Sequence, residues 1–192
     1  MRAKRVLLVV LLVLLAIVSG IGIAAYRIMS VKNSPVFAQY GSWRGTKDLP
    51  LNRNNLITTQ VTLFALFALP SNEAIYLFAP DDRDNKRLDG SADYILTGNI
   101  HDVKANYWSI TAYGNDLYLI PNEADRFSFN ANNLVIDSAG NYTITISATH
   151  KPGNWLPVKT GKEFQLVLRI YKGEHEFVNH LDKARLPIIK KI

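Results

Sequence analysis

The chain has 192 residues, 48% of them hydrophobic, a formal net charge of +6 and no cysteine. Without cysteine, disulfides, thiolate zinc sites and cysteine nucleophiles are excluded. The positive charge sits at the two ends, since residues 29–180 carry 14 Lys and Arg against 15 Asp and Glu, and that middle offers no basic stripe for a nucleic acid.

Residues 1–28 read as a separate object. Val6 to Ala25 is apolar apart from Ser19, Gly20 and Gly22. About twenty helical residues at 1.5 Å each span about 30 Å, the hydrocarbon thickness of a bilayer. Arg2, Lys4 and Arg5 precede the run, and Arg27 follows it. The three leading charges hold the N-terminus in the cytoplasm and send the rest across. A cleaved signal peptide is the competing reading, with small residues at Gly22 and Ala24. The run is longer than a usual signal core, which favours a retained single transmembrane helix. Residues 29–48, with Asn33-Ser34-Pro35 and Gly41-Ser42, read as a tether. Residues 49–192 are long enough for one domain with its own core.

Within that domain, Leu51 to Leu69 has helical spacing at Leu56, Gln60, Leu63, Phe64 and Phe67, and Pro70-Ser71-Asn72 ends it. From Glu73 onward the pattern turns to short strands. Ala74–Ala79 and Asp93–Ile100 flank a turn region rich in Asp and Asn. Lys104–Tyr113 alternates Trp108, Ile110 and Ala112 with Tyr107, Ser109, Thr111 and Tyr113. Leu117–Ile120 and Phe127–Phe129 follow. Tyr142–Thr149 and Phe164–Tyr171 alternate again, and Glu174–Ala184 reads as a short closing helix. Many short strands with polar turns predict a mainly β fold, an antiparallel β-sandwich with one or two short helices.

Four stretches carry a resemblance. They are Glu73-Ala74-Ile75-Tyr76, Tyr107-Trp108-Ser109-Ile110-Thr111-Ala112-Tyr113, Gly153-Asn154-Trp155-Leu156-Pro157 and Leu168-Arg169-Ile170-Tyr171. In that order they resemble the bacterial family called domain of unknown function 1214, over about residues 50–190. The resemblance implies a jelly-roll-like sandwich and supplies no reaction. Such domains often follow a domain of unknown function 1254. That half is missing here, so the resemblance implies a short, membrane-anchored member with a separately encoded companion. The implied location is the bacterial inner membrane, with the C-terminal domain facing the periplasm. One departure is visible: many members have Pro just after the Arg-x-Tyr strand, where this chain has Lys172-Gly173.

No catalytic or metal set emerges. His175 and His180 are five residues apart, about 140° around a helix, whereas a zinc-protease helix needs four. Asp81-Asp82-Arg83-Asp84-Asn85 lacks the oxygen ligand and the Gly of a calcium loop further on, so it reads as a solvated turn. His101, Asp102 and His150 have no nucleophile elbow beside them. No glycine-rich phosphate loop follows a strand, and no cofactor is expected.

The residues worth testing are Tyr107, Tyr113, Asn154, Trp155, Arg169 and Tyr171, as ligand-binding candidates. Asn154-Trp155-Leu156-Pro157 lies in a loop between strands, and Trp155 is expected to plug the end of the sandwich. On that reading its removal costs about 3–5 kcal/mol, and removal of Asn154 about 1 kcal/mol. The other reading is a ligand platform, an amide beside a flat indole. Arg169 needs a carboxylate if its face is inner, with Glu73, Asp93 and Glu163 as candidates. The function expected is a noncatalytic, membrane-tethered interaction module. The alternatives are a small-ligand or carbohydrate-binding domain and, less favoured, a hydrolase-type enzyme.

Overall fold

A computed structural model of the chain describes residues 2–30, 38–45, 69 and 72–192. The first element is helix α1 (Arg2–Met29). Its 28 residues extend about 42 Å, and residues 2–27 are long and apolar enough to cross a membrane. Ten strands follow among the described residues: β1 (Ala38–Tyr40), β2 (Trp43–Gly45), β3 (Ala74–Ala79), β4 (Tyr94–Asn99), β5 (Ala105–Gly114), β6 (Ser128–Asn130), β7 (Asn141–Ser147), β8 (Trp155–Pro157), β9 (Phe164–Gly173) and β10 (Ile188–Lys191). A five-residue helix, α2 (His175–Asn179), lies between β9 and β10.

The strands form two sheets. One has the order β1-β2-β3-β9-β5-β6, the other β10-β4-β7-β8. Every pairing is antiparallel except β7 with β8, which is parallel. Alternation decides which faces meet. Ile75 and Leu77 of β3, Trp108, Ile110 and Ala112 of β5, and Leu166, Leu168 and Ile170 of β9 are buried on one side of the first sheet. Tyr94, Leu96, Tyr142, Ile144 and Ile146 are buried on one side of the second. All belong to one hydrophobic cluster. Two aromatic pairs bridge the sheets: Trp108 stacks on Tyr142 with centroids 5.7 Å apart, and Tyr94 meets Phe164 edge-on at 5.8 Å. The result is a mainly β, two-sheet sandwich, as the pattern predicts.

Several expectations are corrected. Residues 38–45 fall within the expected tether, yet they form β1 and β2. Trp43 is 1% exposed in the core, and its Nε1–H donates to the Pro187 carbonyl at 2.7 Å. Leu117–Ile120 is not a strand. A single bridge joins Tyr113 to Leu119, and Leu117 has a left-handed backbone, φ 67°. The closing helix stops at Asn179. Asp82 is not solvated: it is buried, and its Oδ1 accepts from the backbone N–H of Asp84 and Lys86, both at 2.9 Å. The helix expected over 51–69 lies outside the described residues, save for Leu69.

The Lys172-Gly173 departure has a local reason. Lys172 has φ 48°, and its N–H donates to the Glu73 carbonyl at 2.9 Å. Proline offers neither that φ nor an N–H, so position 172 excludes it here.

Candidate functional site

The second face of the six-stranded sheet carries the opposite set of alternating residues. β3 gives it Ala74, Tyr76 and Phe78; β9 gives Gln165, Val167, Arg169 and Tyr171; β5 gives Tyr107, Ser109, Thr111 and Tyr113. Register aligns them in rows. Tyr107, Tyr171 and Ala74 are side by side, and Ser109, Arg169 and Tyr76 form the next row. Side chains in such rows are close enough to touch directly or along the diagonal.

They do touch. Tyr171 packs against Tyr107 with ring centroids 5.8 Å apart and against Tyr76 at 6.4 Å. Asn130 Nδ2 donates to the Tyr107 hydroxyl at 3.3 Å. Arg169 reaches along the sheet to Tyr113. Its Nη2 donates to the Tyr113 hydroxyl, and its guanidinium carbon stands 5.2 Å from the ring centroid. Between these two, Val167 and Thr111 are buried. Tyr107, at the other end, is 42% exposed.

None of the three candidate carboxylates pairs with Arg169. Asp93 is held by Lys151 at 2.6 Å, and Glu163 by Arg87 at 3.7 Å. Glu73 contributes its backbone carbonyl, which accepts from the Lys172 N–H. Among the described residues no carboxylate forms an ion pair with Arg169. Guanidinium has five N–H donors in a flat fork, and Tyr113 takes one. Burial pushes the Tyr76 phenol up to about 12, helped by the neighbouring Tyr171 hydroxyl and opposed by the charge of Arg169. At neutral pH the Tyr76 phenol therefore stays protonated beside the Arg169 guanidinium.

Asn154 and Trp155 are elsewhere, on the other sheet. The stretch is not a loop: Trp155–Pro157 is β8, parallel to β7. Gly153 turns the chain there with φ 76°, a conformation that suits glycine. Asn154 is 8% exposed, and its side chain is fully used. Its Nδ2 donates to the carbonyls of Val135 at 2.7 Å and Thr143 at 3.1 Å, and its Oδ1 accepts from the Val135 N–H at 2.8 Å. Trp155 is half-buried. Its Nε1–H donates to the Ser147 carbonyl at 3.0 Å, and His150 meets its ring edge-on at 4.8 Å. These two residues clamp an edge strand and do not plug the end of the sandwich. The six residues singled out from the sequence thus divide into four on one sheet face and two on the other sheet. Tyr76, which was not singled out, joins the four. Its place beside Arg169 depends on the β3–β9 register, which no local pattern reveals.

No curated protein matches the chain. Among solved structures, the VPA0106 protein from Vibrio parahaemolyticus is similar at 30% identity and a TM-score of 0.58, over 71% of this chain and 35% of that one. An uncharacterized protein from Burkholderia cenocepacia is similar at 18% identity and a TM-score of 0.44, over 87% of this chain and 40% of that one. The chain thus spans well under half the length of either. The pattern of the family described as Protein of unknown function (DUF1214) matches residues 73–175, more than half of the chain, and the chain belongs to that family.

Proposed function

We propose that the protein is a noncatalytic interaction module of the bacterial cell envelope, anchored in the inner membrane by α1 with its β-domain in the periplasm. On this reading the Tyr107 end of the Tyr–Arg face, the exposed end, receives a partner protein, a separately encoded companion. One observation carries it: Tyr76, Tyr107, Tyr113 and Tyr171 gather with Arg169 on one sheet face, with no carboxylate paired to that Arg among the described residues. Tyrosine and arginine are the side chains that protein interfaces use as energetic anchors. The partner chemistry that fits is a carboxylate flanked by apolar groups. Support for the orientation is the charge pattern, Arg2, Lys4 and Arg5 ahead of α1 against Arg27 at its end.

The test uses the full-length chain in its own membranes. A photo-crosslinking amino acid is placed at Tyr107 and, separately, at Trp155. The expected result is one defined adduct from position 107, lost with Arg169→Ala, and none from position 155. No adduct from 107, or equal adducts from both, overturns the reading. A C-terminal alkaline phosphatase fusion tests the orientation; an expressed but inactive fusion overturns it.

A further inference from the structure

A second site lies away from that face. A cleft of about 1000 Å³ opens between the β1–β2 hairpin, the paired β4 and β7 strands and the segment leading into β10. Its wall is fixed by the bond from the Trp43 indole to the Pro187 carbonyl, which ties the hairpin to the C-terminal segment.

Tyr142 lines this cleft and is 3% exposed. Its ring stacks on Trp108, yet its hydroxyl has no hydrogen-bond partner among the described residues. Gly98 pairs with Tyr142 across β4 and β7. A methyl group there would sit 2.6 Å from the Tyr142 hydroxyl oxygen, so glycine leaves that oxygen its room. Burial, and then the charge of Asp102, push the phenol pKa up, which keeps the hydroxyl a donor at neutral pH. A buried hydroxyl without a partner is costly, and native proteins rarely keep one.

The charges around the cleft balance. Arg83 and Arg185 line it together with Asp102 and Asp182. An ion of either sign meets as much repulsion as attraction. A ligand rich in hydroxyls meets acceptors at the carboxylates, donors at the guanidiniums, and the aromatic side chain of Tyr40. The volume suits a ligand of one to a few rings.

We propose that this cleft binds an uncharged polyhydroxylated ligand, a mono- or oligosaccharide, with the Tyr142 hydroxyl hydrogen-bonded to it. The site is independent of the Tyr–Arg face. The test titrates full-length protein, held in a detergent without a sugar headgroup, with maltose, cellobiose and N,N′-diacetylchitobiose. Binding is read by calorimetry and ligand-observed NMR. The expected result is millimolar or tighter binding of at least one, weakened about tenfold by Tyr142→Phe and by Asp102→Asn. The Tyr142→Phe protein should keep its thermal midpoint, and Arg169→Ala should leave the affinity unchanged. Absence of binding by all three sugars overturns the proposal. So does unchanged affinity in Tyr142→Phe, which would mean that water alone meets the hydroxyl. Loss of sugar binding in Arg169→Ala also overturns it, by moving the sugar to the other face.

Discussion

Two regions of this molecule look alike in sequence and differ in what their polar groups do. Both set an aromatic residue beside an amide or a cation: Asn154-Trp155 on one, Arg169 with Tyr171 on the other. At the β8 edge both polar atoms of the Asn154 side chain are bonded to backbone, and the Trp155 indole N–H is spent on the Ser147 carbonyl. On the β3–β9–β5 face the bonds among the described residues run from side chain to side chain, Arg169 to Tyr113 and Asn130 to Tyr107. An amide that closes its own chain specifies a fold. Among the described residues the Arg169 cation bonds to a phenol and to no carboxylate, which marks it for recognition rather than for closing the chain.

The contrast is broken most sharply at Asn154. Asn154→Ala removes three part-buried hydrogen bonds, to the Val135 N–H and carbonyl and to the Thr143 carbonyl, each worth about 0.5–1.5 kcal/mol net. We expect a loss of about 2–4 kcal/mol in denaturant unfolding, with the slope unchanged. Trp155→Ala follows. Full burial would make the loss about 3–5 kcal/mol, but the ring is half-buried, so about 1–2 kcal/mol is expected. That reverses the order anticipated from sequence, and a Trp155→Ala loss larger than that of Asn154→Ala would refute the clamp.

On the other region, Arg169→Ala should change stability by no more than about 1 kcal/mol while abolishing the crosslink from position 107. A larger loss would make Arg169 structural and erase the distinction between the two regions. The smallest effect is alkaline. The Tyr76 phenol is raised to about 12 in the folded protein, above its ordinary value of 10.0. A folded-state pKa above the unfolded one means that the stabilisation is complete below about pH 10 and fades as pH rises toward 12. Tyr76→Phe should flatten the loss of stability over that window. An unchanged slope would show that the phenol is not held up.

The long strands were legible because alternation needs no partner. Trp108, Ile110 and Ala112, or Leu166, Leu168 and Ile170, announce a buried face by themselves, and so put Arg169 and Tyr171 together on the other. The three-residue strands β1, β2 and β8 are too short to show a period. Trp43 therefore reads as linker until the sheet is assembled. The clamp was hidden for another reason: Asn154 and Val135 are separated by nineteen positions, and a side chain bonded to distant backbone leaves no repeat. Register hid the rest. Glu163 is as plausible a mate for Arg169 as for Arg87 until β9 is aligned on β3 and β5.

The position of β9 bears on when the domain can form. β3 and β5 do not pair with each other; both pair with β9, across six and nine residue positions. β10, which follows β9 in the chain, completes an edge of the other sheet. While a ribosome is still adding residues 74–163, the larger sheet has no centre to assemble on. A nascent chain in that state has no finished sheet to jam a narrow conduit. For a domain carried across a membrane behind its anchor, as proposed, late closure keeps residues 74–163 threadable until β9 has been made. Stalled chains ending before Phe164 should accordingly remain protease-sensitive throughout, and chains extending beyond Lys191 should not.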